Sequence, residues 1–461
     1  MTACGVKVVN MNKNWNDQMN NMSLNGIRAA FLSLGCKVNS YETEAMKELF
    51  RKAGAVLTGF GEPADVYVIN TCTVTNIADR KSRQMLHRAR HLNPEAVIVA
   101  AGCYVQSAGS ALLEDRSVDL LVGNNQKKEI VKLVYAYLKD RSFVNEPAKI
   151  GAESEYEELA IDSMEEKVRA SIKIQDGCNQ FCSYCIIPYA RGRIRSREEE
   201  AVVQEVERLA ARGYREIVLT GIHLSSYGLD RGEERLMPLI VRLCGIDGID
   251  RIRLGSLEPR IITEEFVKTL AKEEKVCPHF HLSLQSGCDS VLRRMNRKYT
   301  TGEYLERCDM LRYYFKRPAI TTDVIVGFPG ESEEEFGITR SFLEKAAFAQ
   351  MHIFKYSRRE GTAAARMPDQ VPEPVKAARS EILIGLGERM KADYGAGFAG
   401  TVQRMLTEEI VSAGGEAYAV GHNERYVKLA VKSTGISVNQ MVDVLVSGKK
   451  TGDMILCEIR D

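Results

Sequence analysis

Val168-Arg-Ala-Ser-Ile-Lys-Ile-Gln-Asp-Gly-Cys178-Asn-Gln-Phe-Cys182-Ser-Tyr-Cys185 is the stretch that decides the fold. Residues 168–174 read as a β-strand. The cysteines after it are spaced C-x3-C-x2-C on one tight loop. A βα barrel keeps its chemistry in loops at the C-terminal ends of its strands. Three thiolates so placed can hold three irons of a cubane cluster and leave the fourth iron free for a small molecule. A structural zinc ion normally takes four ligands, and no His or further Cys follows at matching spacing. Zinc and chance buried cysteines stay open as the alternatives.

Outward from this loop, strand patterns recur at 216–220, 251–255, 279–284, 320–326 and 351–356. Helical stretches at 197–212, 263–271, 302–314 and 333–347 separate them. Six βα units over 168–396, with a connecting helix at 374–394, predict an α/β architecture centred on a partial barrel. Upstream, residues 26–145 alternate apolar runs at 29–34, 66–70, 97–101 and 119–122 with helical patterns, which predicts a parallel sheet. Residues 146–167 are acidic and read as a solvated linker. Residues 397–461 change to short alternating strands broken by Gly414, Gly415 and Gly448, the pattern of a small β-barrel. Residues 1–25 are polar and Asn-rich and read as a disordered extension; Trp15, within it, is given no role.

The 461 residues carry 63 Lys+Arg against 62 Asp+Glu, so the formal net charge is +1. That excludes a polybasic protein gripping nucleic acid with its whole surface, but not local basic patches. No apolar run approaches the ~18 residues of a membrane span, and the start lacks a signal-peptide core. A cytoplasmic placement is expected, where the 12 cysteines are not a disulfide framework.

Cys36, Cys72 and Cys103 are distant in sequence, but each follows a predicted strand of residues 26–145. In a parallel sheet the C-terminal strand ends share one edge, so the three should converge. Three independent loop cysteines are the alternative. Cys4, Cys244, Cys277, Cys288, Cys308 and Cys457 have no such arrangement and read as core or surface thiols.

The 178–185 loop resembles the signature of the radical S-adenosylmethionine (SAM) superfamily. The resemblance implies a 4Fe–4S cluster whose open iron chelates SAM, cleaved to a 5′-deoxyadenosyl radical, with Tyr184 beside the adenine. It also implies SAM-lining residues at later strand ends: Thr220, Gly221, Ser256, Glu258, Gln285, Asp323 and Gly327. Gly-Cys36-Lys-Val-Asn-Ser-Tyr-Glu, Asn-Thr-Cys72-Thr-Val-Thr-Asn and Ala-Gly-Cys103-Tyr-Val-Gln resemble the three cysteine motifs of the methylthiotransferase family. There the three hold a second, auxiliary 4Fe–4S cluster, and the C-terminal module resembles the RNA-binding TRAM barrel.

Within that family, the stretches at 35–44, 73–84 and 186–193 resemble the branch acting on N6-threonylcarbamoyladenosine in tRNA. The implied reaction is methylthiolation at C2 of that base, at position 37 in the anticodon loop, using two SAM and two clusters. A low-potential electron donor such as flavodoxin or ferredoxin, no membrane and a monomer go with it. Methylthiolation of isopentenyladenosine, and a non-catalytic iron–sulfur sensor that binds RNA, are the rival readings. For the RNA, Arg191, Arg193, Arg195 and Arg197 repeat every second residue and would face one way in an extended chain, a candidate phosphate track. Arg80 and Arg83 lie on a second basic patch; a solvated charged edge is the alternative.

Overall fold

The computed structural model describes residues 23–150, 155–164 and 168–460, so most of the expected 1–25 extension, with Cys4 and Trp15, lies outside the described residues. The first unit is a five-stranded parallel sheet of β1 (Arg28–Ser33), β2 (Val56–Thr58), β3 (Val66–Thr71), β4 (Val97–Gly102) and β5 (Leu120–Val122). Its order is β2-β1-β3-β4-β5. The two central strands, Val-Tyr-Val-Ile-Asn-Thr and Val-Ile-Val-Ala-Ala-Gly, are buried throughout. Both faces are covered, as continuous apolar runs in a parallel sheet require. Val66, Val68, Val97 and Val99 pack with Met46 and Phe50 of α1 (Lys37–Lys52). The alternate residues Tyr67, Ile69, Ile98 and Ala100 pack with Leu86 and Ala89 of α2 (Asn76–Leu92). Period-two side chains thus sort two helix layers onto opposite faces. Two further helices follow, α3 (Cys103–Ala108) and α4 (Ile130–Lys139).

The second unit has six parallel barrel strands: β6 (Arg169–Asp176), β8 (Glu216–Gly221), β9 (Arg251–Leu254), β11 (His279–Leu282), β12 (Ala319–Val326) and β13 (Gln350–Lys355). The short strands β7 (Arg195–Ser196) and β10 (Ser256–Leu257) extend it. Hydrogen bonds from Ile252 N to Lys275 O (2.7 Å) and from Cys277 N to Ile252 O (2.9 Å) join the two four-stranded halves. Ile172, Ile217, Leu219, Ile252, Leu254, Phe280 and Ile320 pack outward against Val206, Leu239, Leu243, Leu311 and Leu343 of the surrounding helices. The alternate positions, including Lys173, Thr220, Arg253, His281 and Asp323, therefore face inward. The interior of this barrel is polar. The fourth strand ends at Leu282 and not at the expected 284, because Gln285 turns the chain with a φ of +73°.

The acidic segment departs from expectation. Within 155–164, Leu159, Ile161 and Met164 join the barrel core, Tyr156 donates to Lys173 O at 2.9 Å, and Glu158 pairs with Arg197. Its charge density suggests solvent, but its interspersed apolar residues make this part a packed strap.

The last unit is a closed five-stranded barrel, β14 (Val402–Ala413), β15 (Glu416–Asn423), β16 (Lys428–Lys432), β17 (Met441–Thr451) and β18 (Met454–Ile459). All its pairings are antiparallel except β16 with β18. Arg251 donates to Arg404 O (2.6 Å) and His422 O (3.0 Å), and Arg253 to Glu424 O (2.9 Å). These bonds dock the small barrel beneath the N-terminal ends of the large barrel's strands. Among the described residues, no helix is long and apolar enough to cross a membrane.

Candidate iron–sulfur and SAM site

Cys72 and Cys103 follow directly on the C-terminal ends of β3 and β4, and Cys36 lies three residues beyond the end of β1. Cys36 caps α1 and Cys103 is the first residue of α3. Gly35 adopts φ +102°, and a Cβ there would lie 2.7 Å from Cys72 Cβ and 2.8 Å from its Sγ. Burial pushes the Cys72 thiol up to about 11, and the nearby Cys103 and Cys36 add to the rise. The sheet edge therefore brings the three together. Asn39 stitches the rim: its Nδ2 donates to Leu34 O (2.8 Å) and Thr71 O (2.9 Å), and its Oδ1 lies 3.9 Å from Cys36 Sγ.

The second cysteine loop is shaped by Gly177, at φ +69°, where any Cβ would collide with the Arg193 carbonyl. Cys178 N donates to Gly192 O at 3.0 Å and Cys185 N to Cys182 O at 2.9 Å. Gln180 N donates to Cys178 Sγ at 3.4 Å, and Arg297 Nη1 to Cys182 Sγ at 3.3 Å. Asn296 Nδ2 holds the Phe181 carbonyl at 2.9 Å, where Phe181 takes φ +47°. Burial pushes the Cys178 thiol up to about 11 and Cys185 to about 12. A strong local cation, as in cluster iron, is what converts such thiols to thiolates.

Each cysteine set offers three thiols at one strand-end edge, the donor set that a cluster with one open iron would take. Among the described residues, the only three potential ligand atoms within 4.8 Å of one another belong to His281, Asp323 and His352. Neither cysteine trio is drawn in to the roughly 3.8 Å S–S spacing of a single tetrahedral zinc. Donors aimed at Cys103, Cys178 and Cys182 sulfurs are what thiolate ligands of a cluster accept.

Of the residues expected to line SAM, Thr220 and Gly221 end β8, Ser256 and Glu258 follow β9, Gln285 follows β11 and Gly327 follows β12. All lie on the C-terminal edge of the barrel, as does Tyr184, whose hydroxyl burial pushes well above its ordinary value. Glu258 is buried and receives Arg260 Nε at 2.9 Å. The space beside Gly327 is taken by the Lys376 chain, whose Nζ donates to Tyr356 O. Asp323 sits deeper, inside the barrel, with Oδ2 3.4 Å from His281 Nε2. His281 Nδ1 is 3.0 Å from Thr321 Oγ1, and Asp323 is in register with His352. His223, two residues past Gly221, reads from sequence either as a substrate contact or as a satisfied structural histidine. Its Nδ1 is 2.6 Å from Ser226 Oγ, its buried Nε2 has no partner among the described residues, and burial holds it near 4, hence neutral.

The arginine track is corrected by the structure. Arg191, Arg195 and Arg197 are buried, and only Arg193 is exposed. Arg197 pairs with Glu205 and with Glu158 (2.5 Å), and Arg191 with Glu42 (2.8 Å) and Asp176 (3.1 Å). The alternation is broken because α5 (Ile187–Arg191) is helical and a turn intervenes before β7. Buried carboxylates take these guanidinium groups, so they are not a surface for phosphates. Arg80 and Arg83 are exposed on α2, with Arg83 donating to Tyr104 OH at 2.8 Å.

Sequence reasoning missed the residues between the two cysteine sets. Glu42, fully buried, receives Lys173 (2.7 Å), Lys127 (2.9 Å) and Arg191 (2.8 Å), and Lys173 also meets Asp176 at 2.6 Å. Glu42 stands within the quoted 35–44 motif, but its partners Lys127, Lys173 and Arg191 are over 80 positions away. The alternation of His279 and His281 with Phe280 and Leu282 was a readable signal for an inward His281.

Comparison with known proteins agrees with this geometry. Residues 172–343 match the family model "Radical SAM superfamily", and residues 28–123 match "Uncharacterized protein family UPF0004". The chain is 42% identical over 419 residues to the threonylcarbamoyladenosine tRNA methylthiotransferase MtaB of Bacillus subtilis, covering 90% of this chain and 93% of that one. It is 41% identical to the protein of the same name from Aquifex aeolicus, covering 85% and 97%. It is 35% identical to the tRNA-2-methylthio-N(6)-dimethylallyladenosine synthase of Pelotomaculum thermopropionicum, covering 90% and 94%. Among solved structures, the radical SAM methyltransferase TsrM from Kitasatospora setae superposes with a TM-score of 0.54 at 16% identity, covering 74% of this chain and 77% of that one. That last likeness concerns the fold alone.

Proposed function

This chain belongs to the tRNA methylthiotransferases of the radical SAM superfamily, and from that premise we propose that it places a methylthio group on C2 of N6-threonylcarbamoyladenosine, next to the anticodon. The observation that carries the choice of base is the pair of relatives at 42% and 41% identity named for threonylcarbamoyladenosine, against 35–37% for enzymes named for dimethylallyladenosine. The polar barrel interior supports it too. A wall of His281, Asp323 and His352 offers hydrogen bonds to a threonylcarbamoyl group and little to a hydrocarbon one.

In this reading Cys178, Cys182 and Cys185 hold one 4Fe–4S cluster, and Cys36, Cys72 and Cys103 a second. The first would supply the electron for reductive SAM cleavage, and the second the sulfur of the methylthio group. The chain's own residues do the placing. Arg297 fixes Cys182, and Gly177 lets the loop close against Arg193. Thr220, Gly221, Ser256, Glu258, Gln285 and neutral His223 line the strand-end rim where SAM would lie. The exposed Arg80, Arg83 and Arg193 are left to meet tRNA phosphates, and a splayed base of a single-stranded loop can enter the barrel. A low-potential electron donor, a monomeric state and the cytoplasm complete the proposal.

Nucleoside mass analysis of tRNA from strains with and without the gene tests it. Loss of 2-methylthio-N6-threonylcarbamoyladenosine on deletion is expected. Loss of the methylthio-isopentenyl nucleoside instead would reassign the base.

A further inference from the structure

Arg191 closes α5, six positions beyond Cys185, so by sequence it belongs to the radical-cluster loop. Its side chain is fully buried and crosses into the first unit. Nε donates to Cys103 Sγ at 3.2 Å. Nη2 donates to Asn39 Oδ1 at 2.7 Å and to Glu42 Oε2 at 3.0 Å, and Nη1 to Glu42 Oε1 at 2.8 Å and Asp176 Oδ1 at 3.1 Å. Asn39 Oδ1 also accepts from Cys36 Sγ at 3.9 Å. One guanidinium therefore touches one auxiliary cysteine directly and a second through a single amide.

A second donor converges on the same sulfur. Asn124 Nδ2 lies 3.6 Å from Cys103 Sγ and 2.7 Å from the carbonyl of Ala190, the residue before Arg191. Lys127 Nζ fixes the Asn124 oxygen at 2.7 Å. The surrounding charges do not balance by themselves. Glu42 and Asp176, with buried Glu157 near Lys127 and Lys173, face Lys127, Lys173 and Arg191, and Arg195 lies 3.5 Å from Asp176, so four cations meet three carboxylates. All three side-chain nitrogens of buried Arg195 lack a hydrogen-bond partner among the described residues. A buried excess of cations is costly unless an anion lies beside it. Thiolate ligands of an iron–sulfur cluster are such an anion.

We infer that Arg191 is a positioning residue for the auxiliary cluster, clamping Cys103 from the barrel unit and holding that cluster's reduction potential up. The inference rests on the reading that Cys36, Cys72 and Cys103 bind an iron–sulfur cluster. A donor and a positive charge at a ligand sulfur stabilise the reduced, more negative cluster, which raises its potential. The same bonds tie the auxiliary site to the helix that follows the radical loop, so the separation of the two clusters is set by side chains and not by the linker alone.

The test uses full-length chain with Cys178, Cys182 and Cys185 changed to Ala, reconstituted anaerobically. Iron analysis and a redox titration followed by electron paramagnetic resonance are then compared with and without Arg191→Met and Arg191→Lys. The parent is expected to hold about four irons, the number in one 4Fe–4S cluster. A parent without iron overturns the cluster reading, and the inference with it. With iron present, Arg191→Met is expected to give a more negative midpoint, and Arg191→Lys, which keeps the charge but not the fork, a smaller shift the same way. Unchanged midpoints at full iron content overturn the clamp while leaving the cluster reading intact. Should Arg191→Met fail to fold, Arg191→Lys decides by the same readout, since it preserves charge for Glu42 and Asp176.

Discussion

Gly35 sits so close to Cys72 that a methyl group on its α-carbon would fall 2.8 Å from the cysteine's sulfur. The glycine is thus part of the ligand geometry, although it carries no donor atom. Its φ of +102° adds a second reason, since L side chains rarely adopt it. Gly35→Ala should displace Cys72 and lower the iron of the reconstituted enzyme by about half, sparing the radical cluster. Iron and sulfide analysis checks this, and full iron content in the variant would contradict it.

Arg297 stands to Cys182 as Arg191 stands to Cys103, donating to its sulfur at 3.3 Å against 3.2 Å. It is also tied to Tyr299 OH (2.9 Å) and Ser283 O (3.2 Å), so its placement is fixed from the barrel. Arg297→Met should keep iron but slow reductive SAM cleavage, with the radical-cluster midpoint shifted negative. Cleavage assays at two reductant strengths separate the causes: a stronger reductant should recover part of the rate.

Among the described residues, Glu42 is the only carboxylate that Lys127, Lys173 and Arg191 all reach. Burial by itself would raise this acid, but Arg191, Lys127 and Lys173 outweigh it and hold it well below the usual range. Its stabilisation is therefore full above the unfolded carboxyl value of about 4.3 and is lost as pH falls toward the depressed folded value. Glu42→Gln should cost about 3–5 kcal/mol near neutral pH, as buried cations are left without their anion. Denaturant unfolding across pH should show wild type and variant converging below about pH 4. A constant gap would contradict the account.

His352 faces Asp323 and His281 inside the barrel. If that wall receives the base's side group, His352→Ala should raise KM for tRNA bearing threonylcarbamoyladenosine about tenfold, or ~1.4 kcal/mol, with a smaller change in kcat. SAM cleavage without tRNA should be unaffected. Steady-state kinetics on purified tRNA reads both.

The sequence carried the backbone of this account further than its polar interior. β3 and β4 were legible because a fully buried parallel strand leaves an uninterrupted apolar run. Cys36, Cys72 and Cys103 were legible because strand ends in such a sheet must share an edge. Arg191 and Arg197 were not, since alternation says where an extended chain points and α5 is not extended. Their partners, Glu42 and Glu205, belong to helices that only the assembled fold brings near. Leu159 and Ile161 were hidden by the acids around them. The turn at Gln285 puts its positive φ on a non-glycine residue, which the sequence does not announce.

The central claim is that two cysteine trios do separate jobs on one modified adenosine. Reconstituted enzyme, reductant, SAM and tRNA carrying N6-threonylcarbamoyladenosine test it most directly, comparing wild type with Cys36→Ala, Cys72→Ala and Cys103→Ala. The wild type should yield the 2-methylthio nucleoside by mass analysis. Each variant should still release 5′-deoxyadenosine from SAM but form no methylthio product. Methylthio product from any of these variants, or none from the wild type on this base, would contradict the account.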